Sequence, residues 1–466
     1  MTVEPVEKRP SETTSPAADP LGARERRRIR LRLLKLRARE YLEYQSPVLG
    51  PAIRLAAWAA GAALVYTPAR RRGFGLLAAT HRSGRLRSTN WLVEGMVRRH
   101  ARQGAKPVAA AIDHAIATAD ANIPAGLRKD PRNVFPTLAI VLRSPGERHK
   151  GVLNLSYSYV YPWFHKHYDV EKVASRYHIV LEPSWAGFCT PEILTFTRLS
   201  QPVFVQAIEP YDASYLQRVG GNLTPVAIAA NWWTDPRVFA PAADGDRPYD
   251  FAMVASWSDF KRHHRFFAAL AEVKRRGRRL NGVCVGYPQG RSVEEVRAVA
   301  RLYGVSDWIT FEDRLTPEQT AERVRRAKVK VLWSRREGFN RAVIEALFSD
   351  TPIVMREGFN YGHHHDYVNE QTGCFADERS LPDTLLRYAD ATAEASPEDW
   401  VSERMSPQAA VQRLHKKIAE TAGEPIGDAG PLAVKVNTLN NMRYWNPTEA
   451  ERHRSDYQWL AGCVRT

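Results

Sequence analysis

Hydrophobic positions along the chain follow two different periods. From Arg24 to Arg39 five aliphatic residues, Ile29, Leu31, Leu33, Leu34 and Leu36, are interspersed among nine basic ones, which predicts a basic helix with an apolar stripe. Residues 47–68 contain the apolar run Leu55 to Tyr66, preceded by Arg54 and followed by Arg70, Arg71 and Arg72. A bilayer-spanning helix needs roughly 20 apolar residues, so this shorter, alanine-rich run predicts a packed or interfacial helix. Between Leu92 and Ala121 helical spacing continues, with Val108, Ile112 and Ile116 on a helix opened by Pro107.

The period then shortens. Runs rich in β-branched residues at Thr137–Leu142, Gly151–Tyr157, His178–Leu181 and Pro202–Ile208 read as strands. Their separation by helical or loop stretches predicts a parallel α/β sheet, in which ligands sit beyond the carboxyl ends of the strands. Residues 157–163, 182–187 and 209–212 are therefore candidate ligand loops, with packing as the plain alternative for Trp185 and Tyr211. From Tyr249 the alternation becomes regular. Strands are expected at Phe251–Ala255, Gly282–Val285, Trp308–Phe311, Lys328–Trp333 and Pro352–Met355, with helices at Lys261–Arg275, Val293–Tyr303, Pro317–Ala327 and Arg341–Phe348 between them. This is the pattern of a second, Rossmann-like sheet with right-handed crossovers.

Composition narrows the class. With 466 residues, 44% hydrophobic and 25% charged, the chain is ordinary globular protein, not a disordered or disulfide-stapled one. Cysteines at 189, 284, 374 and 463 have no metal or thiol-exchange spacing, and a reduced, cytoplasmic setting is expected. The first ten residues are polar, so no secretory signal is expected, and residues 1–22 read as a disordered tail. Charge is lopsided: residues 1–150 hold 28 Lys and Arg against 12 Asp and Glu, and the remainder is balanced. The basic helix suits either an anionic membrane surface, at the inner face of the cell membrane, or a solvated cap on the protein. Nucleic acid is not an expected partner, because no recognisable binding module accompanies the arginines.

Candidate chemistry concentrates in Val331–Leu347. A strand ending near Ser334, a turn at Gly338 and a helix beginning around Asn340 would aim unpaired backbone N–H groups into a cleft, a seat for phosphate. At about 1.5 Å rise per residue, Glu337 and Glu345 lie on the order of 10 Å apart along the chain, a separation suited to a long ligand such as a nucleotide-sugar. Carboxylates accept hydrogen bonds from paired hydroxyls; an ordinary first-turn acid and a solvated helix residue are the bland alternatives. Neither a Gly-x-Gly-x-x-Gly loop nor a phosphate-loop motif is present, which argues against a dinucleotide oxidoreductase or an ATPase of that type. Three adjacent histidines, His363 to His365, cannot all face one ion on a regular element, and no metal is expected.

Together these segments resemble the donor site of the family-four (group 1), GT-B-fold retaining glycosyltransferases. Val254–Lys261 looks like that family's strand-turn-helix with a diphosphate-binding lysine, Val283–Gly286 like its second strand and glycine turn, and Asp350–Val354 and Asn369–Gly373 like its later strand and acidic-x-x-Gly segment. The resemblance implies two Rossmann-like domains facing across a cleft, with residues 1–45 a tail and basic helix, 46–245 an acceptor-side domain, 246–430 a nucleotide-sugar domain, and 431–466 a segment returning to the first domain. It implies catalytic roles for Lys261 and Glu337. Donor contacts would come from Lys261, Arg262 or Arg265, Gly286, Gly338, Phe339, Asn340, Arg341 and Glu345, with no cofactor and no metal. Acceptor-side candidates are Glu209, Trp185 and Tyr157. Ser256 stands where the family commonly has an arginine, so Arg262 or Arg265 would compensate; Asn340 replaces a small residue, and the family's cleft histidine has no counterpart beyond Glu209. The expected activity is transfer of a sugar from a nucleotide-sugar to a glycan or lipid-linked hydroxyl, in cell-surface polysaccharide synthesis. An epimerase, a phosphorylase or a degenerate membrane-docked sugar-binding protein are the competing readings.

Overall fold

Two sheets organise the protein, seen in a computed structural model that describes all residues except 1–20, 83–89, 184–188, 336, 339, 358–365, 392–395, 425–429, 440 and 466. The first contains β1 (Ala139–Arg143), β2 (Gly151–Ser156), β3 (Tyr177–Glu182), β4 (Val203–Gln206) and β5 (Leu223–Val226), in that spatial order. Every residue of β1 to β4 is buried, which is why these strands read as continuous apolar runs. β2 to β5 are parallel. β1 is antiparallel to β2, pairing Ala139 with Leu155, because the link between them is too short for a crossover. β5 was not legible in the sequence: Leu-Thr-Pro-Val is short and carries a proline, tolerated because it lies at the sheet edge.

The second sheet is parallel throughout and contains β6 (Phe251–Val254), β7 (Gly282–Gly286), β8 (Ile309–Asp313), β9 (Lys330–Leu332), β10 (Ile353–Arg356) and β11 (Gly373–Ala376), in the order β11-β10-β9-β6-β7-β8. Five of these strands stand where periodicity predicts them. The sixth, β11, arises from pairing with β10, Ile353 beside Gly373. The strand order reverses between β6 and β9, and at such a switch point the loops diverge and leave a crevice.

Helices cover both sheets. The N-terminal helix Ala23–Glu40 packs on the second sheet's unit, where Ile29 and Leu33 join a core containing Phe266, Val296 and Val299. Arg32 reaches Glu295 at 3.2 Å and Arg37 donates to the Tyr303 hydroxyl at 2.8 Å. Its apolar stripe is thus divided, with Leu31 and Leu34 left exposed. Helices Leu49–Leu64, Arg70–Arg82, Asn90–Gln103 and Lys106–Ala117 follow. Among the described residues no helix is long and apolar enough to cross a membrane.

The C-terminal segment forms a hairpin of β12 (Lys435–Asn437) and β13 (Met442–Tyr444) against the first sheet. Met442 N donates to Thr137 O at 2.7 Å and the Tyr444 hydroxyl to Val141 O at 2.7 Å. Beyond the hairpin two short helices, Glu449–Arg452 and Arg454–Ala461, meet at His453. His453 is buried beside Ser144 and Asp456, which anchors this segment to the end of β1.

Candidate active site

A cavity of about 760 Å³ opens at the carboxyl ends of the strands of both sheets. Its floor comes from the switch point of the second sheet. After β6 the chain passes Ser256, which lines the cavity, and forms a 3₁₀ turn, Asp259–Lys261, before the helix His263–Arg275. Lys261 therefore sits in a turn at the mouth of the helix, not within it. Its Nζ donates to Glu337 Oε1 at 2.6 Å, and Glu337 is buried while Lys261 faces the cavity. The two loops are tied together by Arg335 N donating to Phe260 O at 2.9 Å. Gly286, ending β7, also lines the cavity; a Cβ there would meet Ala255 O at 2.3 Å, so only glycine allows the two strand ends this approach.

Helix Arg341–Phe348 begins at the cavity. Asn340 is its N-cap, the side-chain oxygen accepting from Val343 N at 3.1 Å. The cap satisfies one orphan donor of the first turn and leaves others directed at the cleft. Arg341 and Glu345, one turn apart with 3.5 Å between guanidinium and carboxylate, both line the cavity. Beneath them Lys330 of β9 is fully buried, and its Nζ has no hydrogen-bond partner among the described residues. Burial pushes its pKa down to about 7, opposed by the charge of Glu345 and assisted by Lys261.

The opposite wall belongs to the first sheet and the C-terminal hairpin. Tyr157, at the exit of β2, has φ 67°, a left-handed conformation uncommon for a bulky residue, and its ring stacks on Tyr159 at 5.5 Å. Glu182 ends β3. Its Oε1 accepts from Asn437 Nδ2 at 2.6 Å, and its Oε2 from Lys435 Nζ at 2.6 Å and Asn154 Nδ2 at 3.3 Å. Lys435 is fully buried, and that burial pushes its pKa down to about 8 in spite of Glu182. Arg341 of the opposite wall donates to the carbonyls of Asn437 and Thr438, so the hairpin touches both halves of the site.

The structure brings together Lys261, Gly286, Asn340, Arg341, Glu345 and Tyr157 around one cavity, with Glu337 and Gly338 buried beside it. Phe339, Trp185 and His363 to His365 lie outside the described residues. Two expectations are corrected. Arg262 and Arg265 do not line the cavity. Arg262 is fully buried, bonded to Glu40 at 2.9 Å and Glu378 at 2.5 Å, and Arg265 reaches the same two carboxylates at 3.2 and 2.9 Å. Neither takes over the place that Ser256 leaves empty of charge. Glu209 is buried as the N-cap residue of helix Pro210–Val219 and is not among the residues lining the cavity. Glu182, Asn437 and Arg314 line it instead. Glu182 stood at the head of a suspected loop, the only signal it gave. Arg314 follows β8 with φ 56° and its N–H bonded to Gly286 O at 2.7 Å, presenting an exposed guanidinium at the rim. Among the described residues no cluster of His, Cys, Asp and Glu is arranged to hold a metal.

Residues 237–398 match the family described as glycosyl transferases group 1. Among solved structures the chain is similar to a sucrose-phosphate synthase from Thermosynechococcus elongatus, at 16% identity over 58% of this chain and 74% of that one, with a TM-score of 0.44. It is similar to the C-terminal domain of LpcC, a glycosyl transferase group 1 family protein from Francisella tularensis, at 18% identity over 37% of this chain and 98% of that one, TM-score 0.31. It is also similar to HepE from Anabaena in complex with UDP, at 13% identity over 69% of this chain and 83% of that one, TM-score 0.41. No curated protein sequence matches the chain.

Proposed function

We propose that the chain moves a sugar from a nucleotide-sugar donor to a hydroxyl of a glycan or lipid-linked acceptor, with retention at the anomeric carbon, a reading supported by the match of residues 237–398 to the group 1 glycosyl transferases. The observation that carries this reading is the convergence of the Lys261–Glu337 pair, the capped helix start at Asn340–Arg341 and Glu345 on one cavity. The hard part of the reaction is the departing diphosphate. Lys261, Arg341 and the free N–H groups of the helix start meet its growing charge from fixed positions. Glu337, held against Lys261, orients the sugar hydroxyls, and Glu345 the ribose. The bond from the anomeric carbon to phosphate breaks with its electrons on the diphosphate. The acceptor oxygen attacks from the same face, and its proton passes to the leaving phosphate oxygen. This scheme uses no protein nucleophile and assigns no role to a metal.

On the acceptor side Tyr157, Glu182 and Asn437 offer an aromatic face, a carboxylate and an amide, a combination suited to a polyhydroxylated acceptor. The same reading places the protein in cell-surface polysaccharide synthesis at the inner face of the membrane. The test is turnover of a panel of nucleotide-sugars with and without chelator, with proton NMR of the product. An axial-to-axial or equatorial-to-equatorial outcome, chelator-insensitive, is expected. Inversion, or epimerised donor without transfer, would refute the scheme.

A further inference from the structure

Helix Leu49–Leu64 is turned inside out relative to an ordinary surface helix. Its buried residues are two glycines, Gly50 and Gly61, and only Trp58 and Ala62 among its apolar side chains pack, partly buried, against the core. Leu49, Ile53, Ala56, Ala60 and Ala63, successive positions of a single face, are all exposed, and Leu55 beside them is 51% exposed. A soluble helix places polar residues on such a face. The reason lies in its packing on helix Arg70–Arg82: a Cβ at Gly73 would meet Val65 N at 2.6 Å and Gly61 O at 2.8 Å. The two backbones close on small residues, which leaves the aliphatic side chains pointing away from the protein.

The exposure is not confined to one helix. Of the fourteen large apolar side chains that stand exposed among the described residues, eleven fall between residues 31 and 91. Tyr66 and Trp91 are among them, and Trp91 packs its ring 6.5 Å from Trp58 of the inverted helix. The same stretch carries the charge. Residues 23–103 hold nineteen Lys and Arg against four Asp and Glu, nearly all of the chain's net +16. Arg71 and Arg72, just past the end of the inverted helix, are exposed.

We infer that this helical layer docks the protein on an anionic lipid bilayer, with the outer face of helix Leu49–Leu64 immersed in the interface. Aliphatic residues enter the acyl boundary, the exposed Trp91 and Tyr66 suit the headgroup level, and the arginines meet lipid phosphates. A protein partner would favour an apolar patch depleted of like charge, and a nucleic acid has no use for the aliphatic face. The inference is independent of the transfer reaction, since it concerns a surface remote in sequence from Lys261 and Glu337. It also shifts the membrane contact from the N-terminal basic helix, whose Ile29 and Leu33 are engaged by the protein.

The experiment is flotation of the full chain with vesicles of phosphatidylcholine, alone and mixed with phosphatidylglycerol. Binding to the mixed vesicles and little to the neutral ones is expected. The variant Ile53→Glu/Leu55→Glu, at exposed sites that leave the fold intact by circular dichroism, should weaken binding roughly tenfold or more. Arg71→Glu/Arg72→Glu should weaken it in a salt-dependent way. No binding to mixed vesicles, equal binding to both kinds, or undiminished binding by the Ile53/Leu55 variant would overturn the inference. So would loss of a self-association, seen by analytical ultracentrifugation, in that variant without loss of vesicle binding, or binding to mixed-sequence DNA alone.

Discussion

Glu40, the last residue of the N-terminal helix, accepts hydrogen bonds from Arg262 Nε at 2.9 Å and Nη2 at 3.2 Å, across 222 residues of sequence and with both side chains fully buried. Arg262 directly follows Lys261, in a left-handed conformation with φ 59°. Arg265 at 3.2 Å and Arg335 at 3.8 Å surround the same carboxylate. Burial alone would raise the pKa of Glu40, but the bonds from Arg262 and the fields of Arg265 and Arg335 hold it below the usual carboxylate value. A segment before the first sheet thus braces both loops that carry the Lys261–Glu337 pair.

Removing Glu40 takes one of two carboxylates from the buried Arg262 and from Arg265, leaving them that of Glu378, a change that costs up to about 3–5 kcal/mol. Glu40→Ala is expected to lower the thermal midpoint and reduce kcat through disorder of the Lys261 turn. Glu40→Leu/Arg262→Met should recover most of the stability. Calorimetry with steady-state kinetics checks both, and a double variant no more stable than Glu40→Ala would show that the pairing is not the cause.

Lys261→Ala and Glu337→Ala should each reduce turnover by roughly two powers of ten, since both act where charge develops. Because the two side chains are bonded to each other, the double variant should lose less than the product of the single losses. Purified variants with near wild-type kcat would remove these residues from the mechanism.

Lys330 offers a test by stability against pH. Its pKa falls from 10.5 to about 7 on folding, so between those values the unfolded chain binds more protons than the folded one. Stability therefore rises with pH through that window, and the penalty of a buried ammonium is fully present below it. Lys330→Met should raise the thermal midpoint at pH 6 and flatten the rise. A variant with the wild-type pH dependence would contradict the buried-lysine account.

On the acceptor wall, Lys435 loses its proton as pH passes about 8, leaving Glu182 without its cation. The acceptor KM is expected to climb above that pH while donor affinity holds. Glu182→Gln should reproduce the high-pH acceptor KM at neutral pH, and initial-rate measurements across pH 6–9 distinguish this from a general loss of activity.

Arg262 and Arg265 are expected to behave as structural residues. Their alanine variants should lose stability before they lose donor affinity, because their charge is already met by Glu40 and Glu378. An equal thermal midpoint with a raised donor KM would restore them to the phosphate site.

Sequence alone determined the parts whose physics is local. The strands β6 to β10 and their helices follow from periodicity, and Lys261, Gly286, Asn340, Arg341 and Glu345 meet at one cavity because each sits at a strand exit or helix start that its own segment builds. What the tertiary structure decided are relations between distant segments. Glu40 on Arg262, Lys435 on Glu182, the pairing that makes β11 a strand, and the glycine contact that turns the aliphatic face of helix Leu49–Leu64 outward all join residues whose own neighbourhoods carry no trace of the partner. A side chain's type is written in the chain, but whether its charge or its apolar surface is already satisfied depends on what packing brings beside it.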